Sequence, residues 1–446
     1  MICRRARTLR KRRLTALSCL LMVSAAAPHA LAQRRLSLAD AMALAKLNRS
    51  EAVEANIAIR LARVDVMRAA LQRVQLTLDT SYTDGYQRQN IGIPTDICRS
   101  LGEQCNVPPH QQQLAITAAL SVPVWSGMGV EAAWSRAQHL KSAAEARLLS
   151  ASRSVALEAA MAYWAVRRAE LLLEANAKGY ERSVQVMQIT KARTDAGIAP
   201  IVDYTRSRGA VLLQEATIVD LKGQAADARA QLAAALQLDQ AIVLSEEPPE
   251  KPTALKALPD VLAEARAHRP ELRAADETLV AQEQQVRIAS AAFWPHVSLV
   301  GNADARNQLL GVQTPNLIAS FSAGVQVKWL IFDSLSSYMT LRQEQLTAAR
   351  LFEDRRRASY TVQADVQSAY ERCNAAQQRR QPLREAVEVA SYGLDIIRRR
   401  YQAGIALLIE VLQAEDELQR AELGVVNNSI DVAQSRVTLD AALGAL

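Results

Sequence analysis

The side chains that most often perform chemistry are few in this chain of 446 residues. None of its five histidines, His29, His110, His139, His268 and His296, falls in an HExxH motif or in the order of a Ser-His-Asp triad. The nucleotide-binding sequences GxxxxGKS/T and GxGxxG are also missing. We therefore expect a protein that is not an enzyme, with no catalytic site, no metal centre and no cofactor.

Two of the five cysteines, Cys98 and Cys105, lie close together in the sequence. A disulfide between them would close a small loop in an oxidising compartment. A metal site formed with His110 is the alternative, although the spacing of these three residues is unusual for such a site.

The first 32 residues have the order of a secretory signal peptide. Seven basic residues precede an apolar run over 14–27, and Ala30-Leu31-Ala32 forms a small-residue cleavage site. The apolar run is too short to cross a bilayer core of about 30 Å; a lipoprotein signal at Cys19 is a weaker alternative. We predict a signal peptide over 1–32. Its removal lowers the count of basic residues from 53 to 46, equal to the 46 acidic residues, so nucleic acid is not an expected partner.

The sequence after the leader contains an internal duplication. Ala196-Gly197-Ile198 recurs 207 residues later as Ala403-Gly404-Ile405. Further upstream, 48–51 matches 268–271 at an offset of 220, which places a 13-residue insertion in the first repeat. Two repeats of about 200 residues indicate one domain with pseudo-twofold construction, since solenoids use more and shorter units. The predicted units are a first repeat over 33–245, a Pro-rich connector over 246–260 and a second repeat over 261–446.

Long helices dominate the predicted structure. The segment 127–197 is rich in strong helix formers and would reach about 100 Å as one unbroken helix. Near the C-terminus, apolar residues recur every seven positions beside a parallel row of small residues, which favours coiled-coil-like packing. An ordinary bundle core is the alternative. The apolar row is Val411, Leu418, Val425, Val432, Leu439 and Leu446.

Between the helices, each repeat has segments of alternating apolar and polar residues, as in Leu114-Ala115-Ile116-Thr117 and Phe321-Ser322-Ala323-Gly324. This pattern predicts strands with one apolar face, and an upstream segment in each repeat supplies a hairpin partner. Aromatic residues near the strand ends suggest a membrane β-barrel with an interfacial belt in contact with lipid. A soluble sheet packed on the helices is the alternative. The belt residues are Trp125, Trp294, Trp329 and Phe332.

Four strands cannot close a barrel, and a membrane-spanning sheet must have no open edge. The chain must therefore oligomerise if these strands cross a membrane. Two chains would supply eight strands and three would supply twelve, and only twelve leave a wide lumen. The expected function is a conduit.

The order of these segments resembles the TolC-like outer-membrane efflux proteins over essentially all of the chain after the leader. Each Ala-Gly-Ile is followed, six residues after its glycine, by an acidic residue, Asp203 in the first repeat and Glu410 in the second. The strand-to-helix junctions 122–127 and 329–334 and the terminal 442–446 also match.

The resemblance implies a mainly α-helical fold with a small β part. It implies a homotrimer with a 12-stranded outer-membrane barrel, four strands per chain, continued by a long α-helical barrel in the periplasm of a Gram-negative bacterium. The tips at Ala196, Gly197 and Ile198 and at Ala403, Gly404 and Ile405 would dock a periplasmic adaptor, or membrane fusion, protein. An inner-membrane transporter of the RND, ABC or MFS type would supply the energy.

Glu410 matches a position near the family's periplasmic gate, with Gln413 one turn further on. In a trimer, three Glu410 carboxylates would attract cations around the axis; a solvated helix face is the alternative reading. The second candidate function for the whole chain is a soluble periplasmic coiled-coil binding protein. The cargo of a duct, whether a drug, a metal ion or a secreted protein, is left open by the sequence.

Overall fold

A computed structural model describes residues 34–86, 110–238, 242–249, 254–309 and 316–446. The predicted signal peptide, Cys98 and Cys105 lie outside these ranges. The described chain is mostly helical, with a small part in strands. In chain order the elements are β1 (Arg34–Leu36), α1 (Leu38–Asn48), α2 (Ser50–Leu71), β2 (Gln75–Tyr86), β3 (His110–Trp125), α3 (Gly129–Asp195), α4 (Ile201–Leu236), β4 (Ile242–Leu244), α5 (Leu258–His268), α6 (Pro270–Ala291), β5 (His296–Leu309), β6 (Asn316–Lys328), α7 (Ser336–Gln378), α8 (Arg380–Gln402) and α9 (Leu408–Leu443).

The two predicted hairpins, β2–β3 and β5–β6, join into one antiparallel four-stranded sheet in the order β2-β3-β5-β6. One row of the register runs Leu78, Ala118, Ala303, Phe321 across all four strands. Because side chains alternate in period two along a strand, this register puts most of the large apolar residues of the four strands on the same face.

The helices next to the sheet follow the order of the strands. α2 packs on α3, α3 on α6, and α6 on α7. The helices therefore have the same order of neighbours as the strands to which they are joined. A second set of helix contacts also includes α3. In this set α4 packs on α3, α3 on α9, and α9 on α8. Within the described ranges, α3 is the helix that takes part in both sets.

The long helical segments of the two halves differ at a single proline. α3 runs unbroken for 67 residues, whereas the corresponding segment of the second half is divided into α7 and α8 at Arg379. Pro382 has no N–H to donate to the carbonyl of Gln378, four residues earlier, so the ladder is interrupted there. The position 207 residues before Pro382 is Ala175, which has that N–H.

The predicted seven-residue seam of α9 is largely buried. Val411, Leu418, Val432 and Leu439 are all buried, while Val425 is partly covered. The small residues three positions on from this row, such as Ala414 and Ala442, are buried as well and allow the neighbouring helices to approach closely.

A short parallel pairing of β1 with β4 was not predicted. It is held by Tyr163 of α3, whose buried hydroxyl donates to the carbonyl of Leu36 at 3.3 Å and accepts from the backbone N–H of Glu246 at 3.0 Å. Strands of three residues are too short to give a periodic signal; the contact with Tyr163 decides their position.

Candidate functional site

The apolar face of the sheet is open to the surroundings. Leu76 and Phe321, on the two edge strands, expose 74% and 84% of their surface. The same face also exposes Leu78, Tyr82, Leu114, Ile116, Leu120, Leu299, Val325 and Val327. An apolar area of this extent is unusual on a soluble monomer and marks a surface that contacts lipid or protein.

The opposite face of the sheet is polar. One row places Asp79, Thr117, Asp304 and Ser320 side by side on the four strands. The hydroxyl of Thr117 donates to Asp304 Oδ1 at 2.9 Å. The sheet thus has a mainly apolar face and a mainly polar face, which suits a boundary between apolar and aqueous surroundings.

The predicted aromatic belt residues lie at one end of the sheet, where the strands meet the helices. Trp125 ends β3, Trp294 lies just before β5, Trp329 follows β6, and Phe332 lies in the turn before α7. All four are exposed. The indole N–H of Trp329 donates to the carbonyl of Phe293 at 3.2 Å.

The two strand-to-helix junctions have the same backbone conformation. Gly127 and Met128 have φ of 59° and 67°, and the residues 207 positions later, Ser334 and Leu335, have φ of 56° and 68°. Two successive left-handed residues are costly except at glycine, so their recurrence reflects a required turn.

Each junction ends in the same helix cap. Ser126 Oγ accepts from the N–H of Val130 at 3.2 Å, and Asp333 Oδ2 accepts from the N–H of Ser337 at 2.8 Å. Because Asp333 accepts from both the hydroxyl and the backbone of Ser337, its pKa is lowered from the ordinary value.

The two Ala-Gly-Ile tips close their helices through the same hydrogen bonds. In the first, Gly197 has φ of 72° and donates to the carbonyl of Thr194 at 2.9 Å. In the second, Gly404 has φ of 80° and donates to the carbonyl of Tyr401 at 3.0 Å. The isoleucine after each glycine donates one residue further back, which completes a Schellman motif. All six residues of Ala196-Gly197-Ile198 and Ala403-Gly404-Ile405 are exposed.

The tips also lie side by side within one chain. Arg193, near the end of α3, donates to the backbone carbonyls of Tyr401 and Gln402, and its guanidinium lies 4.7 Å from the centroid of the Tyr401 ring. The buried hydroxyl of Thr190 lies 3.3 Å from that of Tyr401. Sequence reasoning missed this contact; its signal was an arginine four residues before the glycine in both tips, Arg193 and Arg400.

The acidic residues after the tips differ in their surroundings. The Glu410 carboxylate is half-buried and accepts from the N–H of Leu407 at 3.4 Å, which caps α9. Asp203 cannot make the equivalent bond because the residue at the start of α4 is Pro200, which has no N–H. Gln413 is exposed. Glu410 is thus a helix-capping residue within the chain, whatever it faces in an assembly.

Within the described ranges, none of the helices combines the length and the apolar character that crossing a membrane requires. The same residues bring no group of three or more His, Cys, Asp or Glu side chains together in a way that would hold a metal ion. Cys373 is a buried free thiol on α7.

The fold is that of outer-membrane channel proteins. The structure of the channel OprN covers 92% of this chain and 90% of its own, with a TM-score of 0.79 and 21% sequence identity. CusC gives a TM-score of 0.80 at 15% identity over 92% of both chains. VceC from Vibrio cholerae gives 0.78 at 20% identity, over 91% of this chain and 96% of its own.

The chain belongs to the outer membrane efflux protein family, whose model matches residues 42–237 and 261–445. The family resemblance inferred from the sequence is thereby confirmed, and with it the outer membrane as the location of the protein.

Curated relatives match over shorter lengths. The pyoverdine export outer membrane protein OpmQ of Pseudomonas putida is 26% identical over 286 residues, 58% of this chain and 55% of its own. Protein CyaE of Bordetella pertussis is 29% identical over 37% of this chain and 35% of its own. The solvent efflux pump outer membrane protein SrpC of Pseudomonas putida is 26% identical over 44% and 43%. The chain therefore spans about half, or less, of the length of these relatives.

Proposed function

We propose that the protein is a passive exit duct of the outer membrane in a tripartite efflux or type I secretion system. The observation that carries this proposal is the sheet with one exposed apolar face and one polar face. A sheet buried against helices would hide its apolar side chains, and here Leu76 and Phe321 are among the most exposed. The duct itself needs no energy source, since it only lowers the barrier to crossing the membrane.

The edges of the sheet support the proposal of a homotrimer. Among the described residues, β2 and β6 are the edge strands of the sheet, and open edges in lipid leave backbone groups unsatisfied at several kcal/mol each. Pairing β6 of one chain with β2 of the next closes the wall, and three chains of four strands make a 12-stranded barrel.

The row of helices α2-α3-α6-α7 ends at the helices joined to the two edge strands of the sheet, and this supports the same closure. α2 and α7 are the outer members of the order α2-α3-α6-α7, so the closure that pairs β6 with β2 also brings α7 against α2. Both helices expose apolar side chains that such contact would cover. They are Val53, Ile57, Leu61, Val64, Met67 and Leu71 on α2 and Tyr338, Met339, Leu346 and Phe352 on α7.

We propose the two exposed tips as the docking surface for a periplasmic adaptor protein. Three chains would place six similar tips around one mouth. An inner-membrane transporter would supply the energy, and Glu410 would line the periplasmic gate, with Gln413 one turn on. The shared Schellman turns support a construction from two repeats, 33–245 and 261–446, joined by the connector 246–260.

The paired arginines before α2 and α6 support the same construction. Arg49 contacts Glu51 and Glu158, at 3.0 and 2.7 Å. Arg269 contacts Glu271 and Asp365, at 3.5 and 4.0 Å. Arg269 and Glu271 lie 220 residues after Arg49 and Glu51, and Asp365 lies 207 residues after Glu158. The same ion-pair arrangement therefore occurs in each half.

Cell fractionation tests the duct. The expected result is recovery in the outer-membrane fraction as a detergent-stable species of three times the chain mass that dissociates on heating. Recovery in the soluble periplasmic fraction as a monomer would defeat the proposal and favour a soluble periplasmic coiled-coil binding protein. A paired control is the Phe321→Asp variant, which puts a charge on the apolar face and should abolish insertion.

A further inference from the structure

Two neighbouring cavities form one groove between α3, α7 and α9, in the middle of the molecule. Their volumes are about 450 and 360 Å³, and they share Ala369, Arg372 and Thr438 as lining residues. In the part of the chain that the structure describes, neither α1 nor α5 contributes to the lining of this groove.

Arginine is the main charged residue of the groove. Arg269 is held by Glu271 and Asp365, and Arg379 lies 3.7 Å from Asp431, which also accepts from Arg168 at 2.7 Å. The acidic residues of the lining are therefore all engaged by these arginines. Two further arginines, Arg153 and Arg372, complete the basic lining.

Neither Arg153 nor Arg372 forms a salt bridge with an aspartate or glutamate side chain among the described residues. Arg153 donates to the backbone carbonyl of His268 at 3.3 Å and to an oxygen of the last residue, Leu446, at 3.4 Å. Burial lowers the pKa of Arg153, Glu271 acts in the opposite direction, and the nearby Arg269 lowers it further. Arg372 is exposed, and its guanidinium forms no hydrogen bond or ion pair with the described residues.

The fold accepts other residues at the places of Arg372 and Arg379. The positions 207 residues earlier are Ala165 and Leu172. These two line an equivalent cavity of about 340 Å³ on α3, whose arginine is Arg168 at a different position. Arginine is therefore not required at the two positions on α7 for a helix to pack at this level.

We propose that the groove around Arg372 binds the oxyanion groups of anionic solutes, carboxylates or phosphates, and is a transient site for anionic cargo in the duct. The planar guanidinium presents a fork of donors that matches a carboxylate or phosphate. The hydroxyls of Ser154 and Ser368 line the same cavity and add further donors. Three chains would place three such sites around the lumen, where low-dielectric walls concentrate the field.

This inference rests on the proposed duct function, and planar lipid bilayers test the two separately. The protein is inserted into the bilayer in potassium chloride, and citrate is added to one side as the probe, with glucose as the uncharged control. We expect citrate, and not glucose, to reduce the single-channel current reversibly. Arg372→Gln should raise the citrate concentration for half-reduction about tenfold, while Arg372→Lys should change it less.

The matched control is Arg350→Gln, which removes the same charge from an exposed position of the same helix. This variant should change the citrate concentration for half-reduction of the current by less than about twofold, because salt screens a distant charge. An equal effect of both substitutions, or an unchanged response in Arg372→Gln, overturns the anion site while leaving the duct in place. Absence of any channel in the unsubstituted protein would instead count against the duct. Titration of the detergent-solubilised protein with citrate gives a second readout if Arg372→Gln inserts poorly.

Discussion

The guanidinium of Arg193 lies over the ring of Tyr401, 4.7 Å from its centroid, and joins the end of α3 to the end of α8. The same guanidinium donates to the last carbonyls of α8, at Tyr401 and Gln402. A cation at a helix C-terminus is favoured by the helix dipole and by carbonyls that have no partner within the helix. One side chain therefore couples the two tips proposed to dock the adaptor.

Arg193→Ala should loosen both tips. The loss of the cation–π contact and of the hydrogen bonds to α8 should cost about 1–2 kcal/mol of local stability. Hydrogen exchange should accelerate in peptides over 186–203 and 394–410. The control is Arg400→Ala, since Arg400 occupies the corresponding place in the second tip but is exposed. Equal acceleration in the two variants would contradict the coupling.

Gly197→Ala and Gly404→Ala should each lower the thermal unfolding midpoint. Their φ of 72° and 80° is unfavourable for a residue with a Cβ, at about 1–2 kcal/mol. At Gly197 a Cβ would meet nothing within 4 Å, so the effect there is purely conformational. Gly209→Ala is the matched control, because it lies within α4 with open space around it and should stabilise by about 0.5–1 kcal/mol.

Gly179→Ala should disrupt a polar network between α3 and α9. A Cβ at Gly179 would lie 2.1 Å from Gln419 Oε1, the atom that accepts from Arg182 at 2.9 Å. Arg182 also reaches Glu415 and Glu422 of α9. We expect a loss of about 2–3 kcal/mol in the free energy of unfolding.

The double variant Gly179→Ala with Gln419→Ala decides whether this loss comes from the close approach of the two residues. Removing the Gln419 side chain makes room for the added methyl group, so the double variant should be more stable than the sum of the two single effects predicts. Strict additivity in denaturant unfolding would show that Gly179 acts in some other way.

Glu410→Ala should alter the single-channel conductance or the cation preference in planar bilayers, because a carboxylate near the axis attracts cations. This change also removes the cap that the carboxylate provides at the N–H of Leu407. Glu410→Gln keeps an acceptor for that N–H and removes only the charge. If both variants conduct like the unsubstituted protein, the gate role is wrong; if only Glu410→Ala differs, the residue acts as a cap alone.

Acid should loosen the start of α7 before the start of α3. The pKa of Asp333 is lowered chiefly by the bonds from Ser337, so its stabilising effect is fully present above the ordinary value of 3.8 and is lost as the pH falls through the lowered value. As the pH falls through the lowered pKa of Asp333, the rate of hydrogen exchange at the N–H of Ser337 should rise relative to that at the N–H of Val130. Ser126 supplies an internal control, because its hydroxyl does not titrate there. Asp333→Asn should remove the pH dependence.

Several features were predictable because they are local. The alternation around Leu114 and Phe321 predicted strands with one apolar face, since the period of a strand is fixed by its backbone. The glycines of the two tips predicted helix ends for the same reason, because a positive φ is open to glycine at little cost. Asp203 and Glu410 looked equivalent in the sequence. Glu410 accepts a hydrogen bond from the N–H of Leu407, whereas Asp203 cannot make the equivalent bond because Pro200 has no N–H.

Other features depended on contacts between distant segments. The pairing of β3 with β5 joins two hairpins through residues about 190 positions apart, and no local pattern specifies which hairpin edges meet. Likewise Arg193 and Arg400 occupy the same place before their glycines, but in the described part of the chain Arg193 contacts the neighbouring tip whereas Arg400 is exposed.

The sequence by itself determined the helices, the hairpins, the two tips and the family, because each is recorded in the spacing of residue types along the chain. The tertiary structure decided that the outer helices α2 and α7 lie beside the edge strands, that Arg193 contacts Tyr401, and that Arg372 has no carboxylate partner among the described residues. These depend on the direction in which other helices cross α3, which is 67 residues long. The packing of distant side chains sets that direction, and no single segment contains it.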